Sequence, residues 1–466
     1  MNIDFDYKNV TISFENSLNK EYKKEYGVFY TDIELSKNII SFLNIPKKSI
    51  IFDPCCGLGA FLFSAINLGY NNIYGADIDK KAVNLCKKVI RNDNIFHIDT
   101  IFTPVEYILK FLKLKDKKID YICGNPPYGK ISKNIDVYAD DYLFVRNVKD
   151  SGSNLFVAAL YKAFELVKKD GYISYIIPKN FLHVPSYSIV RKMILKQKTI
   201  MSIIDIGAYF KNVKGEQIII NLKNKYSNNN VIDFYTYKNN TFFKRTSISQ
   251  DFFNNEILFF NNDNDFRLYN IFENSYKKFS DICSGYIGRG KDNTKESISG
   301  KQIKKFGFKN IDVPKTGNKV FIQNIYSAES GIIASFAGNL LASQTVTVFT
   351  DGDEKMCHYI VGILHSRLCN YYLLKFCFNN SKYTMHTDAK YLRKIPLEIK
   401  KNTFMQIVHL VKALGSIEYM SEDWFDMLES LNDLIYKTYD ISNADISYID
   451  KEIKEIQSKR WKNEKM

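Results

Sequence analysis

The stretch Ser49-Ile50-Ile51-Phe52-Asp53-Pro54-Cys55-Cys56-Gly57-Leu58-Gly59-Ala60-Phe61-Leu62 passes from an apolar run, through an acid and a proline, to two closely spaced glycines and then to helically spaced apolar residues. That order predicts a strand handing over to a helix across a tight turn. Glycines there let the backbone approach a ligand and aim the first helical N–H groups at it. Plain tight turns also carry paired glycines, so the flanking pattern decides what the turn is for.

Short apolar runs at 73–76, 95–98 and 119–123 alternate with helically spaced segments at 60–68, 80–90 and 104–112. A helix over 154–167, a strand over 172–177, a helix around 186–195 and strands at 202–206 and 217–222 extend the series. The alternation predicts a doubly wound parallel α/β sheet with crossover helices filling 28–222. Ligands of such sheets bind at the carboxyl ends of the strands, and three of those ends carry acids. Asp53 closes the first. Asp77, in Gly75-Ala76-Asp77-Ile78-Asp79, closes the second, where a carboxylate can accept hydrogen bonds from both hydroxyls of a ribose. Capping the next helix is the other role open to Asp77. Asp99 closes the third, placed to meet the adenine of a cofactor or to cap its own loop.

The fourth strand ends in Gly124-Asn125-Pro126-Pro127-Tyr128, the most specific feature of the chain. Two prolines remove two backbone donors and stiffen the turn, which leaves carbonyl oxygens and the Asn125 side chain to accept hydrogen bonds. An aromatic amine is a poor nucleophile because its lone pair is delocalised into the ring. Accepting both its N–H protons, through Asn125 Oδ1 and the Pro126 carbonyl, favours a pyramidal nitrogen whose lone pair can attack a methyl donor. Tyr128 is placed to stack on the base and fix the approach.

A length of 466 residues predicts two domains. No apolar run approaches the roughly 20 residues of a membrane span, and residues 1–20 lack the order of a secretory signal. These features predict a cytoplasmic protein. The eight cysteines show no C-x-x-C spacing and read as reduced, with no metal site. A formal charge of +14 suggests an acidic partner. The excess is concentrated in the middle, with 25 basic against 16 acidic residues over 221–400 but 9 against 12 from 401 onward. The polar segment 223–230 is the expected linker. Beyond it, 231–400 mixes short aromatic and β-branched runs with loops, and only 360–376 is firmly helical in pattern. Two or three amphipathic helices are expected over 404–456.

In these motifs the chain resembles the gamma class of amino-methyltransferases of bacterial restriction-modification systems, which place the cofactor motif first, Asn-Pro-Pro-Tyr second and target recognition last. The resemblance runs through Lys24-Glu25-Tyr26-Gly27-Val28-Phe29-Tyr30-Thr31, Asn154-Leu155-Phe156, the segment 171–178, and Phe210 followed by Gly215-Glu216-Gln217-Ile218. It is looser over 383–396 and 434–450. It implies an S-adenosylmethionine-dependent, Rossmann-like catalytic domain at 28–222 behind an extension at 1–27. An irregular α+β target-recognition domain would follow at 223–400, and a helical segment at 401–466.

The cofactor set implied is Tyr30, Thr31, Asp53, Pro54, Cys55, Gly57, Gly59, Phe61, Asp77, Ile78, Asp99 and Asn125. Asn125, Pro126, Pro127 and Tyr128 would hold the target amine, with Phe210 as the second aromatic around a flipped base. One departure is Asp32, where the family commonly has proline. The expected activity is methyl transfer to N6 of adenine in double-stranded DNA, in a bacterial or phage-encoded system with or without a separately encoded restriction endonuclease. Arg289, Lys291, Lys382 and Tyr383 are the candidate DNA contacts. N4 of cytosine is the near alternative. A glutamine amide of a release factor and a catalytically silent DNA-binding module are the remote ones. With about 25 residues ahead of Tyr26 and no paired-acid metal site in the tail, the chain is expected not to cut DNA.

Overall fold

The computed structural model describes residues 31–114, 118–131, 142–210, 213, 215–283, 285–381 and 383–464, with 7, 10, 11, 13, 14, 16 and 17 ahead of them. The chain forms two compact units, Met1–Asn262 and Asp263–Met466.

In the first unit α1 (Ile33–Phe42) is followed by β1 (Ile51–Asp53), α2 (Ala60–Asn67), β2 (Ile73–Asp77), α3 (Lys80–Ile90), β3 (Ile95–His97), α4 (Val105–Phe111) and β4 (Ile119–Gly124). Then come α5 (Tyr142–Asp150), α6 (Leu155–Leu166), β5 (Val167–Pro178), α7 (Ser188–Gln197), β6 (Thr199–Gly207), β7 (Gln217–Lys223), β8 (Val231–Lys238) and β9 (Thr241–Ser249). One sheet takes all nine strands in the order β3-β2-β1-β4-β5-β7-β6-β8-β9. Strands β1 to β5 are mutually parallel. The central strands β1 and β4 are largely apolar on both faces, as strands covered by helices on each side must be: Ile51, Phe52, Ile119, Tyr121, Ile122 and Cys123 are all fully buried. The chain runs outward from β1 to β3 on one side and from β4 to β5 on the other. The carboxyl ends of β1 and β4 therefore flank the topological switch point where such sheets bind ligands.

The parallel core is as expected, and beyond β5 the sheet becomes mixed. Strand β7 runs against both β5 and β6, and β9 against β8. A parallel connection needs a crossover of a dozen or more residues, and the link from Gly207 to Gln217 is too short for one. The domain boundary differs too. Segment 223–230 is a turn inside the sheet rather than a linker, because β8 pairs with β6 and buries Ile232 and Phe234. The units divide after Asn262. Asn239 and Asn240, at φ +49° and +57°, make the tight β8–β9 hairpin turn.

In the second unit, α8 (Asp263–Ser275) precedes an antiparallel sheet of β10 (Ile287–Arg289), β11 (Lys319–Gln323), β12 (Ala334–Gly338) and β13 (Val346–Thr350), in spatial order β10-β13-β11-β12. Helices α9 (Glu354–His365) and α10 (Arg367–Tyr372) follow, then a π turn, Leu373–Cys377, and α11 (Lys401–Leu414), α12 (Glu422–Thr438) and α13 (Asn443–Glu464). Three acids of the last two helices, Glu429, Asp450 and Glu452, pair with buried cations. Lys375 Nζ lies 2.8 Å from Glu452 and 3.3 Å from Asp265, and Arg367 pairs with Glu429 and Asp450. The acidic tail thus braces its own unit. Among the described residues no helix is long and apolar enough to cross a membrane.

Candidate active site

Asp53 closes β1 with 1% of its surface exposed, and its Oδ1 accepts from the Cys55 N–H at 3.1 Å. Burial pushes its carboxyl well above the usual range; the Cys55 N–H pulls it back and Asp77 raises it further. Gly124, closing β4, makes the approach possible. A Cβ there would stand 2.6 Å from Asp53 Oδ1.

Asp77 holds two backbone donors, Gly57 N–H on Oδ2 at 2.7 Å and Asp79 N–H on Oδ1 at 2.9 Å. The cap of α3 is Asp79, which accepts from Lys81 and Ala82 N–H, so the alternative role for Asp77 belongs to its neighbour. Burial raises the Asp77 carboxyl to about 6, against the pull of the Asp79 and Gly57 amides. Asp99 lies just past β3 and accepts from Phe102 N–H at 3.3 Å, while Thr100 donates to the Pro54 carbonyl at 2.6 Å and ties this loop to the glycine turn. The three acids converge. The Cys55 thiol is pushed far up by burial first, then by the carboxylates of Asp77, Asp53 and Asp99. A strand-end edge that carries the acids Asp53, Asp77 and Asp99, beside backbone opened by glycines, fits a positively charged sulfonium nucleoside.

Other members of the expected set divide. Gly59 takes φ +84°, and a Cβ there would meet Ile90 Cδ1 at 2.4 Å, so the turn packs directly on α3. Ile78 is 44% exposed at the strand end, whereas Phe61 is 3% exposed and belongs to the core cluster. Tyr7 was not anticipated: its hydroxyl donates to the Leu58 carbonyl at 3.1 Å and its ring stacks on Phe63. Tyr30, with the rest of 24–30, lies outside the described residues.

At the end of β4, the Asn125 amide is oriented from both sides. Its Nδ2 donates to Thr31 Oγ1 at 3.5 Å, and its Oδ1 accepts from the Tyr128 hydroxyl at 2.6 Å. That hydroxyl also lies 3.1 Å from the Ile176 carbonyl of β5, and burial keeps the phenol protonated, hence a donor. Pro126 is buried and Pro127 half-buried. Asn154 caps α6 and accepts from Gly129 N–H at 3.4 Å, which fastens the far end of the turn.

Phe210 is buried in the core cluster with Leu35, Ile39 and Phe61, and its ring meets Tyr209 edge-on at 5.3 Å. Asp32 has two uses that proline would lack. It caps α1 through Leu35 N–H at 2.8 Å and accepts a hydrogen bond from Tyr209. Sequence reasoning missed Lys179, whose buried ammonium lies 2.7 Å from Asp205 and 3.7 Å from Glu216 at the ends of β5, β6 and β7. A lysine directly after a strand-ending proline was the available signal.

Of the DNA-contact candidates, Arg289 is tied to Asp388 at 2.8 Å and to the Gln344 carbonyl at 3.4 Å. Lys291 is exposed, Tyr383 is 43% exposed, and Lys382 lies outside the described residues.

Residues 14–281 match the family model described as N-6 DNA Methylase. The chain is 33% identical over 220 residues to the Type II methyltransferase M.VspI of Vibrio sp. (strain 343), covering 44% of this chain and 50% of that protein. It is 30% identical over 201 residues to the modification methylase CviBIII of Paramecium bursaria Chlorella virus NC1A, covering 42% and 48%. The chain thus spans about half the length of these curated relatives. Among solved structures, the Type IIL restriction-modification enzyme MmeI in complex with DNA aligns over 95% of this chain and 80% of that one, with TM-score 0.55 and 13% identity, which shows a shared fold.

Proposed function

Because the chain belongs to the N-6 DNA Methylase family, we propose that it methylates N6 of an adenine flipped out of double-stranded DNA, with S-adenosylmethionine as donor. The observation that carries this reading is the Asn125 amide, held between Thr31 and Tyr128 at the end of β4, beside the neighbouring strand end where Asp53 accepts from the Cys55 N–H. When bound, that cofactor supplies an electrophilic methyl group on a positively charged sulfur. Asp77 would take the ribose hydroxyls, and Asp53 and Asp99 would favour the cationic centre and the adenine. Asn125 Oδ1 and the Pro126 carbonyl would accept the two amine hydrogens and leave the nitrogen lone pair directed at the methyl. Tyr128 would both orient Asn125 and pack on the base, with Phe210 beside it once the pocket is filled.

Adenine is preferred over cytosine on the family and on the order of the motifs, which also supports the gamma class. Unstacking a base costs a few kcal/mol, which backbone contacts have to offset, and the basic residues of 263–400 are available for them. Duplex DNA is therefore the partner, in a system with or without a separately encoded restriction endonuclease. Modification-detecting sequencing of DNA from cells that express the chain tests the reading, with Asn125→Ala as control. N6-methyladenine at one recurring site is expected. Unmodified DNA in both, or methyl incorporation into a release factor instead, would overturn it.

A further inference from the structure

The glycine-rich loop leading into β10 holds an aromatic ring at the surface in a set pose. Tyr286 is 49% exposed, yet its backbone is pinned to β13. Its N–H donates to Thr350 Oγ1 at 3.2 Å and its carbonyl accepts from Thr350 N–H at 3.0 Å. The ring lies over Gly288, where a Cβ would stand 2.2 Å from the phenolic oxygen, and its hydroxyl donates to the Arg289 carbonyl at 3.4 Å. A rigid tyrosine gives a binding partner a large amphipathic face at little cost in conformational entropy.

Beside the ring is a recess of about 470 Å³ lined by Tyr286, Arg289, Gly290, Lys291 and Gln344. Its two cations differ. Arg289 is engaged by Asp388 and by the Gln344 carbonyl. Lys291 holds its ammonium 6.0 Å from the Tyr286 ring centre and has no carboxylate partner among the described residues. Segment 285–319 carries nine lysines and arginines against three acids, and Lys295, Lys301, Lys309 and Lys315 are exposed with Lys291. The charge complements a polyanion.

We propose that this face receives the sugar–phosphate backbone of duplex DNA, with Tyr286 packed on a deoxyribose and Lys291 on the adjoining phosphate. Arg289 is a positioning residue that holds the loop through Asp388. The choice of duplex DNA rests on the function proposed above; the geometry of the contact does not.

Anisotropy of a short labelled duplex, titrated with the full chain across a salt series, tests the assignment. Tyr286→Ala is expected to bind about tenfold more weakly and Tyr286→Phe about as the parent does. Lys291→Gln is expected to lower the slope of log affinity against log salt by about one. Asp388→Asn separates the two roles for Arg289. A brace predicts weaker binding, as with Arg289→Gln, whereas a phosphate contact released from its acid predicts tighter binding and would overturn the positioning role. Unchanged cofactor affinity and melting temperature in each variant tie a loss to the surface rather than to folding. A parent chain that binds no duplex, or a Tyr286→Ala chain that binds like the parent, overturns the proposal. Absence of methyl transfer by a parent chain that binds duplex counts against the proposed function alone.

Discussion

The Tyr128 hydroxyl donates to Asn125 Oδ1 at 2.6 Å, so the aromatic residue of the Asn-Pro-Pro-Tyr turn orients the amide three positions before it. A carbonyl-type oxygen accepts two hydrogen bonds, and this one fixes where the second points. Tyr128→Phe keeps the ring and removes the donor. Turnover in a tritiated-methyl assay is expected to fall about tenfold, by the order of 1 kcal/mol for one hydrogen bond, with cofactor affinity unchanged. Asn125→Ala is expected to lose about 10² to 10³. Wild-type turnover in Tyr128→Phe would reduce Tyr128 to a stacking surface.

Asp77 makes cofactor affinity depend on pH. Burial raises its carboxyl to about 6 in the ligand-free chain, so its contribution to folding is full at low pH and is lost as pH rises through 6. Binding has the opposite slope, because only the ionised form accepts both ribose hydroxyls and attracts a sulfonium. Calorimetry should show affinity rising by up to about tenfold per pH unit below 6 and levelling above it. In Asp77→Asn the affinity should be lower and nearly flat. A flat profile in the parent chain sinks the ribose assignment.

Gly124 faces the Asp53 carboxyl across β1 and β4. A Cβ there would meet Asp53 Oδ1 at 2.6 Å, and neither the strand end nor the buried acid has room to retreat. Gly124→Ala is expected to destabilise the chain by about 1–3 kcal/mol and to weaken cofactor binding at least tenfold by displacing Asp53. A parent-like melting curve with parent-like affinity would show that the strand ends yield freely.

Lys179 neutralises Asp205 and Glu216 where β5 and β6 end and β7 begins. Lys179→Met leaves two acids without their cation, and breaking a buried ion pair in this way costs about 3–5 kcal/mol. Urea unfolding should show that loss. The triple variant Lys179→Met, Asp205→Asn, Glu216→Gln should recover most of it, since neutral groups carry no desolvated charge. Failure of the triple variant to recover would mean that the lysine stem, not its charge, supports the sheet.

What the sequence made legible follows from how parallel strands are built. Largely buried, β1, β2 and β4 are short and mostly apolar runs ended by turn residues, and this exposed Asp53, Asp77 and Asn125 as strand-end groups. The β8–β9 hairpin escaped because Tyr235, Thr236 and Tyr237 blur its alternation, although Asn239-Asn240 is the signature of its turn. The remaining misses are long-range. Lys179 finds Asp205 across 26 residues, Arg289 finds Asp388 across 99, and Tyr7 reaches Leu58 across 51. Sequence spacing does not name the partner in such pairs, so Arg289 read as a candidate DNA contact and Tyr7 as part of an extension.

The first compact unit closes at Asn262. A boundary near 222 would cut between β7 and β8 and strip the β8–β9 hairpin from β6, leaving an unpaired edge and removing the buried Ile232, Phe234 and Ile248 from the core. A chain ending at Asn262 keeps all nine strands and closes where the compact unit does. It should therefore unfold cooperatively and bind cofactor as the full chain does, while a chain ending at 222 should aggregate through the bared edge. The longer fragment also lacks β10 to β13 and with them Tyr286 and Lys291. One flipped base cannot define a site, so further sequence has to be read from groove edges by other residues. The fragment ending at Asn262 should accordingly lose site selectivity and most duplex affinity, with any residual methylation scattered among adenines. If sequencing finds it methylating the same site as the full chain with similar preference, recognition resides in the first unit, and the division of labour argued here is wrong.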